Sequence, residues 1–574
     1  MRSLIASLEV SSSNIPFIHL DHRTPHTMAT NLFQTLTAPN GVSFEQPLGL
    51  FINNEWRAAK SGNLITVPSS LGAGRLAVAV YPRSLISSPR NEQEIAKVHA
   101  GGEQDIDDSV KAARQAFRGP WSAISGTQRG ELMRKLADLV EAKTDTFASI
   151  DTWNNGKRFA SAQGDVSELT ATLRYYAGFA DKLALCLPPI PEVIPVNLEK
   201  LAYTSRDPIG VCGQIIPWNY PLGMAAWKLG PALAAGNTIV LKPAEQTPLS
   251  ILVFATLIEK AGFPPGVINI VNGVGRTAGA SLASHTGVDK IAFTGSTNTG
   301  REIMKLAAVN LKNISLETGG KSPLIVFEDA ELSNAVKFSH YGIMANQGQI
   351  CTATSRIFVH KKIYDQFINL FVEQVKKTSV VGDPFAPGTF QGPQVTKAQY
   401  DSVLSYIEAG KQEGATVAYG GKALTGVNGK GYFVEPTVFT NVSDSMKIYR
   451  EEIFGPCAAV SSFSTEEEVI ERANDTIYGL GAAIFTENIS RALTVAKRIE
   501  AGSKFESSLT VYGYSYANPL FFCTVVWINS SQDSDIRIPF GGVKQSGIGR
   551  ELGEAGIEAY TQVKAIHVNL AHRV

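Results

Sequence analysis

Cysteine is scarce: the chain has 5 in 574 residues, and no two stand in a CxxC pair. So few and so scattered, they form no disulfide framework, and a reducing compartment is the simpler reading. Charge of one sign is not in excess either, with 52 Lys+Arg against 52 Asp+Glu. No global field therefore recruits nucleic acid or an anionic membrane. Long apolar runs are missing. The uncharged stretches Pro208 to Trp227 and Ser507 to Gln532 are broken by Pro, Asn, Ser, Thr and Gly, so neither reads as a membrane span. The 9 His show no ligand spacing, which argues against a metal site. What remains is a large globular chain, too long for a single core.

From about Val110 onward, helical and strand patterns alternate. DDSVKAARQAF and RGELMRKLADLVEAKTDTFASI space apolar residues by three and four and read as helices. PIGVCGQIIPW, NTIVLKP, GVINIVNG and KIAFTGSTNTG read as buried strands running into turns, with WKLGPALAAG and SILVFATLIEKAG as helices between them. Such alternation implies right-handed crossovers and a parallel sheet with helices on both faces. The fold class is α/β: a Rossmann-like, nucleotide-binding unit up to about residue 319, then a second α/β unit from KSPLIVFEDA onward.

Phosphate-binding candidates come first. GVGRTAG (Gly273, Gly275, Gly279) misses the GxGxxG spacing by one and reads equally well as a plain turn. FTGSTNTG places Gly295, Ser296 and Gly300 between an apolar strand and a helix, where free amides suit a pyrophosphate. KPAEQTP offers Lys242 and Glu245 on a strand-end loop. A carboxylate there can take a ribose 2′-hydroxyl and repels a 2′-phosphate, favouring NAD over NADP. Cys351, in the polar ANQGQICTATS, is the candidate nucleophile; Cys186, Cys212, Cys457 and Cys523 lie in apolar or aromatic runs, where a thiol is usually inert. Glu317, before Gly319 and Gly320, can activate water or simply solvate a turn. Asn219 in PWNYPL can donate to an oxyanion or form a turn.

The chain order PWNYPL, KPAEQTP, FTGSTNTG, LETGGKSP, GQIC, EEIFGP and PFGGVKQSGIGRELG resembles the NAD(P)-dependent aldehyde dehydrogenase superfamily, from about Leu50 to His567. GLFINNEW and YYAGFADKL resemble the broad aldehyde-oxidising branch that also holds betaine-aldehyde and retinal dehydrogenases. The resemblance implies Cys351 as nucleophile, Glu317 as general base, and Asn219 with the Cys351 amide as oxyanion hole. It implies a cofactor held by Ile216, Trp218, Lys242, Glu245, Gly295, Ser296, Gly300, Glu452 and Phe454, and a small aldehyde flanked by Phe179 and Phe540. The product would be a carboxylic acid, through a thioester. It further implies a homodimer or homotetramer, built through residues 185–206 with the C-terminal 560–574. The cofactor unit is then expected at 41–184 and 207–319 and the catalytic unit at 320–559.

Four departures stand out. Thr318 replaces the Leu common after the catalytic Glu, with a modest effect expected. The loop Asn529 to Ile538 is polar and acidic where many relatives carry aromatics; it is either a feature selecting polar or cationic aldehydes or a solvated loop. Residues 1–40 are expected to be a disordered extension, with a cytoplasmic location unless 1–27 form a mitochondrial transit peptide. Residues 68–88 and 503–524 interrupt the resemblance as inserts. Ser503-Lys504 can be encoded AGT-AAG, a splice donor, and Phe521 to Thr524 can be encoded as a pyrimidine tract leading to an acceptor. Both inserts therefore read as retained introns, the alternative being surface loops. A catalytically impaired NAD-binding relative, disabled by the inserts, is the competing function. Mass spectrometry of protein from its native source should yield no peptide spanning Tyr512 to Leu520; such a peptide would refute the intron reading.

Overall fold

The computed structural model describes residues 32–60, 84–183, 194–197, 200–426, 429–499, 510–511, 514–515 and 525–570. The runs Val211–Ile215, Thr238–Lys242 and Lys290–Thr294 are buried at every position. Strands without a solvated face belong in a parallel sheet covered on both sides. They form the middle of an eight-stranded sheet in the order Gly547–Ile548, Asn313–Glu317, Lys290–Thr294, Val211–Ile215, Thr238–Lys242, Ile268–Ile270, Leu50–Ile52, Glu55–Arg57. The five central strands are parallel. Chain order reverses between Val211–Ile215 and its neighbour Lys290–Thr294, so a crevice opens beyond their carboxyl ends. Pro217 to Asn219 and Gly295–Ser296 lie there.

The strand Asn313–Glu317 leaves this sheet and, after Gly319 and Gly320, enters Pro323–Val326 of a second, seven-stranded sheet. Its order is Thr416–Tyr419, Thr437–Thr440, Cys457–Phe463, Arg356–His360, Pro323–Val326, Gly481–Phe485, Val525–Ile528, parallel except for the first. A three-stranded antiparallel sheet joins Ile194–Asn197, Lys200–Pro208 and Thr561–Asn569. The segment anticipated for assembly thus shares one sheet with the C-terminal strand.

Several boundaries differ from expectation. Phe33–Thr37 pairs with Ser43–Pro47 inside the stretch expected to be an extension, and this hairpin buries apolar side chains such as Leu36 and Phe44. Ser84–Ser87 pairs with Glu94–Val98, and Ile86 and Ser88 are buried, so the end of the first insert belongs to the fold. The rest of that insert lies outside the described residues, as does the second insert apart from Thr510–Val511 paired with Tyr514–Ser515. Among the described residues no helix is long and apolar enough to cross a membrane.

Gly547–Ile548 comes from the second unit yet completes the first sheet against Leu316 and Glu317. Gly547 has φ +150°, and a Cβ there would lie 2.1 Å from the Leu316 carbonyl oxygen. Only glycine can bring the two backbones together. Gly547→Ala should part them and cost about 2–3 kcal/mol, lowering the first thermal unfolding midpoint; an unchanged midpoint would contradict this packing.

Candidate active site

A cavity of ≈ 1030 Å³ opens where the two sheets meet, and Asn219, Glu317, Cys351, Trp218, Gly295, Ser296, Glu452, Phe454 and Phe540 all line it. Residues far apart in sequence converge because each follows the carboxyl end of a strand or a turn beside one.

Cys351 sits half-buried at the end of the segment 345–350. Asn346, Gln347 and Gly348 there have φ of 48°, 60° and 70°, a left-handed run that costs energy for the non-glycine residues. Side-chain amides hold it. Gln347 Nε2 donates to Pro393 O at 3.2 Å, Gln349 Oε1 accepts from the Val395 amide at 3.1 Å, and Asn219 Nδ2 donates to Gln349 O at 3.0 Å. Asn219 is buried; one of its amide hydrogens is thereby fixed, and the second remains for a ligand in the cavity.

Glu317 ends its strand almost fully buried. Its Oε2 accepts from the Gly542 amide at 3.2 Å, and its Oε1 has no hydrogen-bond partner among the described residues. Burial first, then the charge of Glu551, push its carboxyl well above the usual range, against the opposing pull of Lys228 and Arg550. A carboxylate so raised is a stronger base. Burial also pushes the Cys351 thiol up to about 12, with the charges of Glu452 and Glu317 adding to the effect. The resting nucleophile is therefore the neutral thiol.

The glycine pair after Glu317 has a steric reason. A Cβ on Gly319 would lie 2.1 Å from Glu452 Oε2, and one on Gly320 would lie 2.4 Å from the Cys351 carbonyl oxygen. The Gly320 amide donates to Glu452 Oε1 at 3.0 Å, and burial raises this carboxyl to about 7. Phe454, at φ 57°, sets its ring edge-on to Trp218 at 5.3 Å. Thr318 spends its hydroxyl on Gln545 O at 2.6 Å.

The remaining cofactor candidates lie off the cavity wall. Ile216 is buried and donates its amide to Lys242 O. Lys242 Nζ donates to Glu245 Oε2 at 3.1 Å. Burial works to raise the Glu245 carboxyl, but Lys242 and backbone amides outweigh it and hold the group below its usual range. An ionised carboxylate beside an ammonium on a strand end is a donor set fitted to a ribose diol. Gly275 and Gly279 lie beside this pair, where Cβ atoms would stand at ordinary contact distance, 3.8 Å from Glu245 and 3.6 Å from Lys242. Ser296 caps the helix Thr297–Ala307 by accepting from the Thr299 amide, leaving a helix N-terminus facing the crevice. Gly300 packs under Thr318, whose methyl would meet its Cβ at 2.7 Å, so it serves helix–sheet contact.

Phe179 is not brought to the cavity. It follows the helix Phe159–Ala177 and packs on Tyr175 with ring centroids 5.0 Å apart, against the apolar core. Tyr220, Trp227 and Glu168 line the cavity instead, and sequence reasoning missed them. Trp227 sits edge-on to Phe540 at 4.9 Å. Also missed were Lys228 and Glu551, an ion pair at 2.6 Å behind Glu317, with Lys228 donating to Thr294 Oγ1 at 2.6 Å. The signal was legible: a lysine inside the otherwise apolar helix Pro221–Ala235 needs a buried partner. The acidic loop also reaches the site, for Thr352 Oγ1 donates to Gln532 Oε1 at 2.8 Å and Gln532 Nε2 donates to Thr352 O at 3.0 Å. Seven carboxyl residues line the cavity (Asp165, Glu168, Glu317, Glu452, Asp533, Asp535, Glu551) against one cation, Arg158. Among the described residues no cluster of His, Cys, Asp and Glu is arranged to hold a metal ion.

Comparison with known proteins is consistent with this architecture. Residues 83–506 and 514–566 match the sequence profile described as the aldehyde dehydrogenase family. An aldehyde dehydrogenase of Emericella nidulans is 47% identical, with 94% of this chain and 99% of that protein covered. Human aldehyde dehydrogenase 1A1 is 46% identical over 91% of this chain and 95% of its own length. The solved NAD+ complex of an aldehyde dehydrogenase from Bacillus cereus is similar at a TM-score of 0.81 and 44% identity, covering 91% of this chain and 96% of that one.

The raised thiol sets a pH dependence. Its thiolate fraction in the ligand-free protein should grow about tenfold per pH unit from 6 to 9. Iodoacetamide labelling of Cys351, followed by peptide mass spectrometry, should accelerate without a plateau; a plateau below pH 8 would contradict the buried, carboxyl-flanked thiol.

Proposed function

This chain belongs to the aldehyde dehydrogenase family, and on that footing we propose which residues oxidise an aldehyde to its carboxylic acid with NAD+ and water. The reading rests on one observation above all: Cys351, Glu317 and Asn219 share one cavity at the junction of the sheets. Cys351 gives its thiol proton to cavity water as the sulfur attacks the aldehyde carbon, forming the oxyanion of a thiohemiacetal. The free Asn219 amide hydrogen and the Cys351 backbone amide donate to the developing oxyanion, and their fixed placement removes reorganisation from the barrier. NAD+, when bound, supplies the hydride acceptor. Glu317, unpartnered at Oε1, then takes a proton from the water that attacks the thioester, and the carboxylic acid leaves with Cys351 restored. Splitting oxidation from hydrolysis in this way replaces one difficult step by two feasible ones.

Lys242 and Glu245 hold the adenosine ribose, the helix start at Gly295–Ser296 faces the pyrophosphate, and Glu452 with Phe454 positions the nicotinamide ribose. Ile216 and Trp218 wall this cleft, and Gly300 seats the helix beneath it. The ionised Glu245 favours NAD over NADP because a 2′-phosphate would meet its charge. The bound NAD+ of the Bacillus cereus relative supports the same choice. Phe540 and Trp227 flank the aldehyde chain. A homodimer or homotetramer fits the edge position of Thr561–Asn569 in its three-stranded sheet among the described residues, where Val563 and Val568 are exposed. A thiol nucleophile is best kept reduced in the cytoplasm.

Cys351→Ala should form no NADH with any aldehyde, a loss of at least about a thousandfold in kcat, and the unmodified protein should use NAD+ at least about tenfold better than NADP+ by kcat/KM. Appreciable turnover without the thiol would sink the assignment of the nucleophile, and a preference for NADP+ would sink that of Glu245.

A further inference from the structure

The loop from Asn529 to Ile538 lines the cavity, yet its first half is fastened more tightly than a solvated loop requires. Asn529 exchanges two hydrogen bonds with Thr486: its Nδ2 donates to Thr486 O at 3.0 Å and its Oδ1 accepts from the Thr486 amide at 3.0 Å. Ser531 is fully buried against Gly342, where a Cβ would stand 2.8 Å from the serine Oγ. Trp527 Nε1 donates to Asp533 O at 2.7 Å. Between these anchors Gln532 adopts φ 65°. A residue other than glycine keeps that left-handed conformation only where its surroundings fix it.

What fixes Gln532 is Thr352. The carboxamide exchanges two hydrogen bonds with that one residue, accepting from its hydroxyl at 2.8 Å and donating to its carbonyl at 3.0 Å. At neutral pH a carboxamide is the side chain that carries a strong donor and a strong acceptor side by side. A carboxylate offers no donor to the carbonyl, and an alkyl chain offers neither partner. Thr352 is almost fully buried, so solvent does not replace a bond lost there.

Thr352 directly follows the nucleophile. On its other side the Cys351 peptide is confined by Gly320, whose Cβ would lie 2.4 Å from the Cys351 carbonyl oxygen. The strained run before Cys351 is held by the side-chain amides of Gln347, Gln349 and Asn219. Gln532 supplies the same kind of tether after it, from 180 residues away. The sulfur needs this support. Burial first, then the charges of Glu452 and Glu317, work against its ionisation, and the backbone amides of Thr352 and Cys351 oppose them. Those amides act on the sulfur only while the Thr352 peptide keeps its orientation.

Resting on the aldehyde-oxidising reading above, we infer that Gln532 is a positioning residue for the nucleophile. Its paired hydrogen bonds hold Thr352 so that the Thr352 amide stays directed at the sulfur and the Cys351 amide at the oxyanion formed on attack. The contribution is made to the sulfur, so it falls on every aldehyde alike.

Iodoacetamide labelling of Cys351 in the ligand-free protein at pH 8, read by peptide mass spectrometry, tests this with no aldehyde present. Gln532→Leu, which keeps the bulk and removes both hydrogen bonds, should slow labelling about tenfold. Gln532→Glu should slow it at least as much, since its carboxylate also brings a negative charge near the sulfur. Thr352→Val should slow labelling about threefold, and Thr352→Ser, which keeps the hydroxyl, should label at the wild-type rate. With NAD+ and either acetaldehyde or hexanal, Gln532→Leu should lower kcat/KM by one common factor of about ten. Thermal unfolding shows which variants are folded; where Gln532→Leu is not, Thr352→Val against Thr352→Ser decides. Labelling of folded Gln532→Leu at or above the wild-type rate overturns the inference. So does a loss of kcat/KM confined to one aldehyde, or equal labelling of Thr352→Val and Thr352→Ser. Oxidation of no aldehyde by the unmodified protein overturns the proposed function instead, and the labelling rates still decide the role of Gln532.

Discussion

Two glycines hold the chemistry together. Gly319 and Gly320 form the crossing from the first sheet to the second, and they let the Glu452 carboxyl and the Cys351 backbone approach within distances that no Cβ permits. Glu317 stands immediately before this crossing and Cys351 rests against it. Base, thiol and the carboxyl proposed for the nicotinamide ribose are thus positioned by a single stretch of chain. Neither sheet alone contains the site. The antiparallel strand Gly547–Ile548, returning from the second unit, clamps the same crossing from outside.

Negative charge dominates the space around this joint. Glu317, Glu452 and Cys351 each resist ionisation because burial strips water from them, and neighbouring carboxyls add to the effect at Glu317 and Cys351. A positive ligand entering the cavity offsets part of that desolvation and favours their ionised forms. In the buried pair behind Glu317, Lys228 offsets part of the negative charge of Glu551. The same imbalance extends along the cavity to Glu168 and Asp533.

Much of this was legible in the sequence, for identifiable reasons. Fully apolar five-residue runs such as TIVLK specify strands buried on both faces, and their alternation with helices specifies the parallel sheet. Cys351 stood apart from the other cysteines because its surroundings are polar. Phe179 was misplaced because an aromatic beside a helix reports burial but not which cavity it faces; it packs on Tyr175. Glu168 was missed because a glutamate on a helix surface is ordinarily solvated, whereas here its Oε1 accepts from Trp227 Nε1 on the cavity wall. The hairpin of Phe33–Thr37 with Ser43–Pro47 was missed because its polar, alternating sequence resembles a tail.

The central claim is that Cys351 carries the acyl group while Glu317 releases it. Intact-protein and peptide mass spectrometry of Glu317→Gln, mixed with NAD+ and an aldehyde and quenched in acid, examines this directly. The account predicts a stalled species heavier by the acyl group, with the added mass on the peptide containing Cys351. An acyl group on another residue, or no covalent species while the aldehyde is still oxidised, would contradict it.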